Sequence, residues 1–154
     1  MVSTSFSETK IVYLDINYVI NNSEIGKKKF KEIEQLKLKN QNQNKLEQES
    51  LMSEEKNIKL KQNILSKEEF NKSVNDFKKK VSEFNENKRK LNEEFNIIKK
   101  TKINEILKSI EPFINKYVDE NSITMVIDKK NILIGKKDYD ITIDIVKIIN
   151  QNLK

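Results

Sequence analysis

The most regular pattern of apolar positions lies in the middle of the chain. From residue 70 to residue 98, large apolar side chains recur at alternating steps of four and three. Lys88 and Lys102 occupy two positions at which the same repeat calls for an apolar residue. This spacing is a heptad repeat, and it predicts a helix that forms one side of a coiled coil. The predicted arm seam consists of Phe70, Val74, Phe77, Val81, Phe84, Leu91, Phe95 and Ile98.

A second long helix is predicted before this one. No proline occurs between Ser23 and Asn63, and no glycine follows Gly26 in that stretch, so a helix of about 40 residues and about 60 Å has no stop signal. Ser66 followed by Glu69 fits a capping box at the start of the next helix. The two helices therefore predict an antiparallel hairpin arm over 23–118, with its tip near 62–66.

The register of this hairpin follows from its tip. If facing residue numbers add up to about 131, apolar side chains meet across the arm, for example Leu51 with Val81 and Leu46 with Phe84. Lys88 then faces a polar run on the first helix. Few apolar contacts imply low local stability, so this layer is a candidate hinge. The hinge residues are Asn40, Asn42, Asn44 and Lys88.

Both ends of the chain have a different period. Residues 10–20 are rich in β-branched and aromatic side chains and predict a strand that runs into a short turn or helix. Residues 122–128 and 131–135 predict a β-hairpin, and 140–142 predict the N-cap of an amphipathic C-terminal helix. The expected fold is α+β: a small body formed by 1–22 and 119–154, and the helical arm.

The second long helix broadens its apolar face between Ile103 and Val118, which indicates that this part packs against the body. Pro112 lies inside this pattern and predicts a kink or break near Glu111, because proline lacks the amide hydrogen. So few strands would leave apolar surface exposed, so we expect self-association. The residues predicted to mediate this self-association are Ile11, Tyr13, Leu14, Val126, Ile127, Ile132 and Ile134.

Composition argues against catalysis. The chain is 35% charged and 36% hydrophobic, and it has no histidine, no cysteine, two glycines and one proline. It therefore lacks the commonest general base, the thiol nucleophile and the usual zinc ligands. Carboxylate pairs such as Asp138 with Asp140 have no candidate nucleophile nearby in sequence. We expect neither an enzyme nor a cofactor or metal site.

The net charge is +6, but Arg89 is the only arginine. Scattered lysines attract anions loosely, whereas specific phosphate recognition favours the arginine fork, so specific nucleic-acid binding is not expected. Lysine clusters such as Lys78, Lys79 and Lys80 could contact acidic partners, or could form an ordinary solvated helical face. Near the tip, Met52 and Leu65 lie off the seam and are candidate contacts for apolar partners.

The N-terminal residues do not show the pattern of a secretory signal, and no stretch approaches about 18 uncharged apolar residues. These features do not decide the localisation.

The order of these elements resembles that of the Skp (OmpH) family of periplasmic chaperones. The resemblance covers about residues 10–153 and rests on Leu14-Asp15 at the opening strand, on Ser23, Gly26 and Lys27, and on the closing Asp140-Ile141-Thr142. It implies a homotrimer with a small β-barrel body, whose arms enclose a cavity. There, unfolded outer-membrane proteins would be held in the periplasm without ATP. An anionic membrane or lipopolysaccharide surface is a further candidate partner, and a structural coiled-coil scaffold without unfolded clients is the alternative.

Overall fold

The computed structural model describes residues 9–153 of the 154-residue chain. It is mostly helical and contains one small sheet. In chain order the elements are β1 (Ile11–Leu14), α1 (Ile16–Asn22), α2 (Glu24–Leu60), α3 (Lys67–Glu120), β2 (Met125–Asp128) and α4 (Thr142–Asn152), with single 3-10 turns at Lys129–Asn131 and Lys137–Tyr139.

The sheet has two parallel strands, and both long helices lie in the connection between them. Ile11 of β1 lies opposite Met125 of β2, and Leu14 lies opposite Asp128. On the other edge of β1, Tyr13 forms a single parallel bridge with Asp140. The strands at the two ends of the chain are thus brought side by side, as a small α+β fold requires.

The predicted strand over 131–135 is wrong. Asp128 accepts a hydrogen bond from the backbone N–H of Lys130 at 3.2 Å, and the N–H of Ile132 donates to Lys129 O at 3.0 Å, which closes a 3-10 turn. Leu133 and Ile134 are 97% and 88% exposed, so this segment buries no face against the core. Without a buried face, the β-rich composition of the segment does not make it a strand in this chain.

The contacts divide the described chain into two units. The core unit consists of the described residues up to Glu32 and from Lys100 onwards, and the hairpin unit is Ile33–Lys99. These limits differ from those expected from the sequence because both long helices bury apolar side chains in the core unit. Ile25 and Phe30 of α2 pack against the same cluster as Ile106 and Ile110 of α3.

The core unit has an aliphatic centre. Val19, Ile106, Ile110, Ile145 and Ile149 are fully buried. They come from α1, α3 and α4, and Val12 and Leu14 of β1 complete the cluster on the sheet side. The strand and the short helices therefore pack onto one end of α3.

The change of direction between α1 and α2 is built around Ser23, where the sequence predicts the start of a helix. Ser23 is fully buried and has an extended backbone, and its Oγ accepts a hydrogen bond from the N–H of Gly26 at 3.2 Å. Gly26 approaches α1 so closely that a Cβ atom there would lie 1.6 Å from the carbonyl oxygen of Ile20. Only glycine fits at this crossing.

Of the kink or break predicted near Glu111, the break does not occur, since α3 runs without interruption over 54 residues. Pro112 itself is exposed, whereas Ile110 is fully buried and Phe113 packs against the core cluster. Burial on both sides of the proline outweighs the loss of one backbone hydrogen bond.

The turn of the hairpin lies between Leu60, where α2 ends, and Lys67, where α3 begins. Ser66 Oγ accepts from the N–H of Glu69 at 3.3 Å, and the Glu69 carboxylate accepts from the N–H of Ser66 at 3.1 Å. The hydrogen bonds from Ser66 lower the pKa of Glu69, as expected for a capping box that binds the ionised carboxylate.

Candidate functional site

Three ion pairs join α2 to α3 with one register. Glu54 Oε1 lies 2.7 Å from Lys80 Nζ in the hairpin unit. In the core unit, Glu32 lies 2.6 Å from Lys102, and Lys29 lies 3.2 Å from Glu105. The two residue numbers of each pair add up to 134. The two helices are therefore antiparallel. The sum of 134 for the ion pairs is slightly larger than the sum of about 131 predicted for facing apolar residues.

Helix α2 has a protected side that the sequence does not show clearly. Its buried and half-buried positions recur in steps of three and four, although four of them are polar. They are Ile33, Leu36, Asn40, Asn44, Glu47, Leu51, Glu54 and Ile58.

The predicted contact between Leu46 and Phe84 is wrong. Leu46 is 68% exposed, whereas Phe84 is only 8% exposed, and the next residue, Glu47, takes the protected position. The sequence prediction chose Leu46 because it is apolar, but the helical phase of α2 points it away from the protected side. Leu51 and Val81 do line a common groove.

The candidate seam residues of α3 lie mostly on its protected side. Phe84 is buried and Ile98 is 37% exposed. The half-buried members are Phe70, Val74, Phe77, Val81, Leu91 and Phe95. Of the candidate hinge residues, Asn40 and Asn44 are half-buried, whereas Asn42 and Lys88 are exposed.

Two open grooves flank the seam of the hairpin unit. Met52 and Glu54 are two residues apart on α2, about 200° around the helix, so they line different sides. The first groove, here called the apolar groove, has a volume of about 450 Å³. It is lined by Gln48, Leu51, Met52, Glu55, Phe77, Val81, Phe84, Asn85 and Lys88.

The second groove, here called the polar groove, lies nearer the tip and has a volume of about 670 Å³. Its lining is mainly charged or polar, and the Glu54–Lys80 ion pair crosses it. The residues are Glu54, Asn57, Ile58, Lys61, Leu65, Glu69, Ser73, Asp76 and Lys80.

The structure separates the candidate contact residues. Met52 is 62% exposed and lines the apolar groove. Leu65 is half-buried in the polar groove together with Lys80, whose ammonium is already paired with Glu54. Lys78 and Lys79 are exposed and line neither groove. The five residues therefore do not form one surface.

The candidate trimerisation residues of the core unit differ widely in exposure. Tyr13 and Leu14 are buried, whereas Ile11 and Ile134 are 42% and 88% exposed. Val126, Ile127 and Ile132 are half-buried. Sequence reasoning missed Leu133, Met125 and Tyr139, which are 97%, 53% and 45% exposed. An exposed apolar pair such as Leu133-Ile134 is recognisable only once the segment is known not to pair in the sheet.

A polar network holds the segment that carries these residues. Lys129 Nζ lies 2.7 Å from Asp140, and Tyr13 OH donates to Lys136 O at 2.9 Å. Partial burial raises the pKa of Asp140, but hydrogen bonds from Lys129 and Thr142 lower it more, so the net pKa lies below the usual 3.8. Asp140 is therefore ionised at neutral pH, and its carboxylate binds both Lys129 and Thr142.

Within residues 9–153, no group of three or more acidic, histidine or cysteine side chains is placed to hold a metal ion. Among the helices of that same range, none is long and apolar enough to cross a bilayer.

The comparisons with known proteins assign the family. Residues 10–149 match the family model described as outer membrane protein (OmpH-like). A crystal structure from Caulobacter crescentus, described as an OmpH-like outer membrane chaperone, superposes with a TM-score of 0.88 at 12% sequence identity. The match covers 95% of this chain and 86% of that one. Among curated proteins no match was found.

The fold therefore defines a helical-hairpin protein with a small α+β core. The chain belongs to the OmpH-like family.

Proposed function

We propose that this protein is an ATP-independent holdase chaperone that binds unfolded outer-membrane proteins in the periplasm and prevents their aggregation. The observation that carries the proposal is the family match over 10–149, which includes the whole hairpin. The similar Caulobacter structure is described as an outer membrane chaperone. A catalytic role finds no support in the chemistry of a chain without histidine and cysteine.

The working form in this proposal is a homotrimer. Leu133 and Ile134 expose 97% and 88% of their surface beside the sheet, which is unusual for apolar side chains of a stable monomer. β2 pairs only with β1 in the described chain, so its second edge is available to a strand of another copy. Three copies joined in this way would form the β-barrel body, with the hairpins around a common cavity.

Binding and release in this proposal rest on many weak contacts. Each contact that an exposed apolar side chain or an unpaired lysine of the hairpin makes with the client is weak. Many such contacts act together on one long unfolded client, so the client is held firmly. The hairpin's net positive charge favours acidic clients, and it also fits an anionic membrane or lipopolysaccharide surface as a secondary partner. Transfer of the client to the membrane or to assembly factors would release it.

The test is light scattering from a urea-unfolded outer-membrane barrel protein diluted into buffer with increasing amounts of this chain, without ATP. We expect aggregation to be suppressed with saturation near three protomers per client, as a trimeric cage requires. The matched variant replaces Leu133 and Ile134 with lysine, which should lower the solution mass to that of a monomer and abolish suppression. A wild-type chain without any effect on scattering would refute the proposal and favour a coiled-coil scaffold.

A further inference from the structure

The apolar groove combines an apolar floor with an exposed rim. Phe84 is buried and Phe77 and Val81 are half-buried along α3, so their rings and methyl groups form a floor that the groove leaves open. Met52 stands over this floor from α2 and is 62% exposed. An unbranched thioether on the rim of an apolar floor can adapt to differently shaped side chains.

The charges of this groove are not balanced. Glu55 is neutralised by Lys59, whose Nζ lies 2.7 Å from Oε1. Lys88, at one end of the groove, is exposed and has no carboxylate within 4.0 Å among the described residues. An open ammonium next to an apolar floor favours a ligand that offers both an apolar group and a carboxylate.

The polar groove provides an internal comparison. Both oxygens of Glu54 accept hydrogen bonds from Lys80 there, at 2.7 and 2.9 Å. Its apolar lining is limited to Ile58 and Leu65. The combination of an apolar floor and an unpaired cation is therefore a property of one side of the hairpin unit.

The length of the floor sets the size of the ligand. From Phe77 to Lys88 the helix rises about 16 Å. An extended polypeptide covers this distance with about five residues, and its alternate side chains point to the same face. Apolar side chains at the first and third positions would reach the floor, and a carboxylate at the fifth would reach Lys88.

We infer that the apolar groove is a binding site for extended polypeptide segments of about five residues with alternating apolar side chains and a terminal acidic one. This inference rests on the proposed chaperone function. It places the contact between client and hairpin unit on the side of Met52 and Lys88, and not on the side of Leu65 and Lys80. Alternation of this kind is the sequence pattern of a barrel strand with one lipid-facing apolar side, and the acidic fifth position fits the end of such a strand, where the chain leaves the apolar band. An unfolded barrel protein carries such strand ends repeatedly.

The experiment uses the full chain and two peptides that carry a benzophenone group on the first side chain, leucine at the third position, serine at the second and fourth, and aspartate or lysine at the fifth. Photocrosslinked sites are mapped by mass spectrometry. The variants are Lys88→Gln, its matched control Lys61→Gln in the polar groove, and Met52→Ser. Lys61 is likewise exposed and has no carboxylate within 4.0 Å in the described chain.

We expect the aspartate peptide to crosslink to the residues of the apolar groove. Lys88→Gln should lower the yield about two- to fivefold, the range for losing one exposed ion pair, and Lys61→Gln should not. The lysine peptide should crosslink more weakly, and Met52→Ser should lower the yield for both peptides. An unfolded outer-membrane protein should compete with the aspartate peptide.

Three results would overturn the inference: equal labelling of both grooves, no effect of Lys88→Gln, or a groove that no peptide reaches because another copy of this chain covers it. The last case would show as crosslinks between copies when Met52 is replaced by benzophenone-alanine. If the wild-type chain suppresses aggregation while any of these results holds, only the inference fails. If the groove is labelled as expected but aggregation is not suppressed, the proposed function fails and the site remains.

Discussion

The Nζ atom of Lys102 on α3 lies 2.6 Å from a carboxylate oxygen of Glu32 on α2. Lys29 adds a second, longer contact to the same carboxylate at 4.0 Å and reaches Glu105 at 3.2 Å. These four side chains form an alternating chain of charges across the two helices of the core unit. The hydrogen bond from Lys102 is the largest cause that lowers the pKa of Glu32 below its usual 4.5.

Acid should weaken this connection. Because the folded state lowers the pKa of Glu32, its stabilising effect is complete above about pH 4.5 and is lost as the pH falls through the lowered value. We expect Glu32→Gln to lower the melting temperature at neutral pH by about 1–3 °C and to flatten the acid side of the stability profile. Thermal unfolding followed by circular dichroism from neutral to strongly acidic pH measures both effects.

The control is Glu34→Gln, which removes only an exposed contact with Lys37 at 3.7 Å within α2. An acid profile that Glu32→Gln leaves unchanged would show that the ion pair does not contribute to stability.

Gly26→Ala should destabilise the core unit. Alanine normally favours a helix over glycine, but here its Cβ would meet the Ile20 carbonyl oxygen at 1.6 Å and Ser23 Oγ at 2.9 Å. Either α1 or α2 must move, so we expect a loss of at least about 2 kcal/mol in urea unfolding. Ser53→Ala, at an exposed position of the same helix, should change the free energy of unfolding by less than about 0.5 kcal/mol.

Ile110→Ala tests whether burial holds α3 together beside Pro112. Ile110 is fully buried in the core cluster, so the substitution leaves a cavity and should cost about 2–5 kcal/mol. Ile97 on the same helix is 64% exposed, and Ile97→Ala should cost less than about 1 kcal/mol. Similar unfolding midpoints for the two variants would contradict the assignment of the core.

The asparagine layer of α2 should be the least stable part of the hairpin unit. Asn40 and Asn44 occupy two consecutive protected positions of α2 that hold no apolar side chain, whereas Asn42 is exposed. We expect fast amide exchange around 40–44, and the double substitution Asn40→Leu with Asn44→Leu should slow it and stabilise the unit by about 1 kcal/mol. Hydrogen exchange with mass spectrometry measures this, and Asn42→Leu is the matched control. Amide exchange that is equally slow along all of α2 in the wild-type chain would contradict the prediction of a hinge at this layer.

Local signals in the sequence predicted the helices well. The capping box of Ser66 and Glu69 and the absence of helix breakers determine where α2 ends and α3 begins. These signals act within a few residues, so they can be read without knowledge of the rest of the chain. The family resemblance, drawn from the order of the elements and from short motifs at the two ends of the chain, is confirmed by the match over 10–149.

The features that depend on distant contacts could not be predicted in this way. Burial of Ile110 and Phe113 decides that α3 continues through Pro112, and the close approach of Ile20 to Gly26 decides where α1 meets α2. In the candidate site, the position of Leu46 depends on a helical phase that its apolar character does not reveal. Met52 and Leu65 line different grooves, and each groove is formed by residues of both α2 and α3, so the sequence of one helix alone could not predict this separation.

The common register of the cross-helix ion pairs makes the reach of the hairpin adjustable in evolution. A loss of one heptad from α2 together with the matching heptad of α3 returns every remaining side chain to an equivalent position. Glu32 would still pair with Lys102, and the contacts within the core unit would stay the same. A deletion confined to one helix would instead shift Glu54 away from Lys80. Paired losses and gains near the tip thus offer a route to descendants with shorter or longer hairpins on an unchanged core.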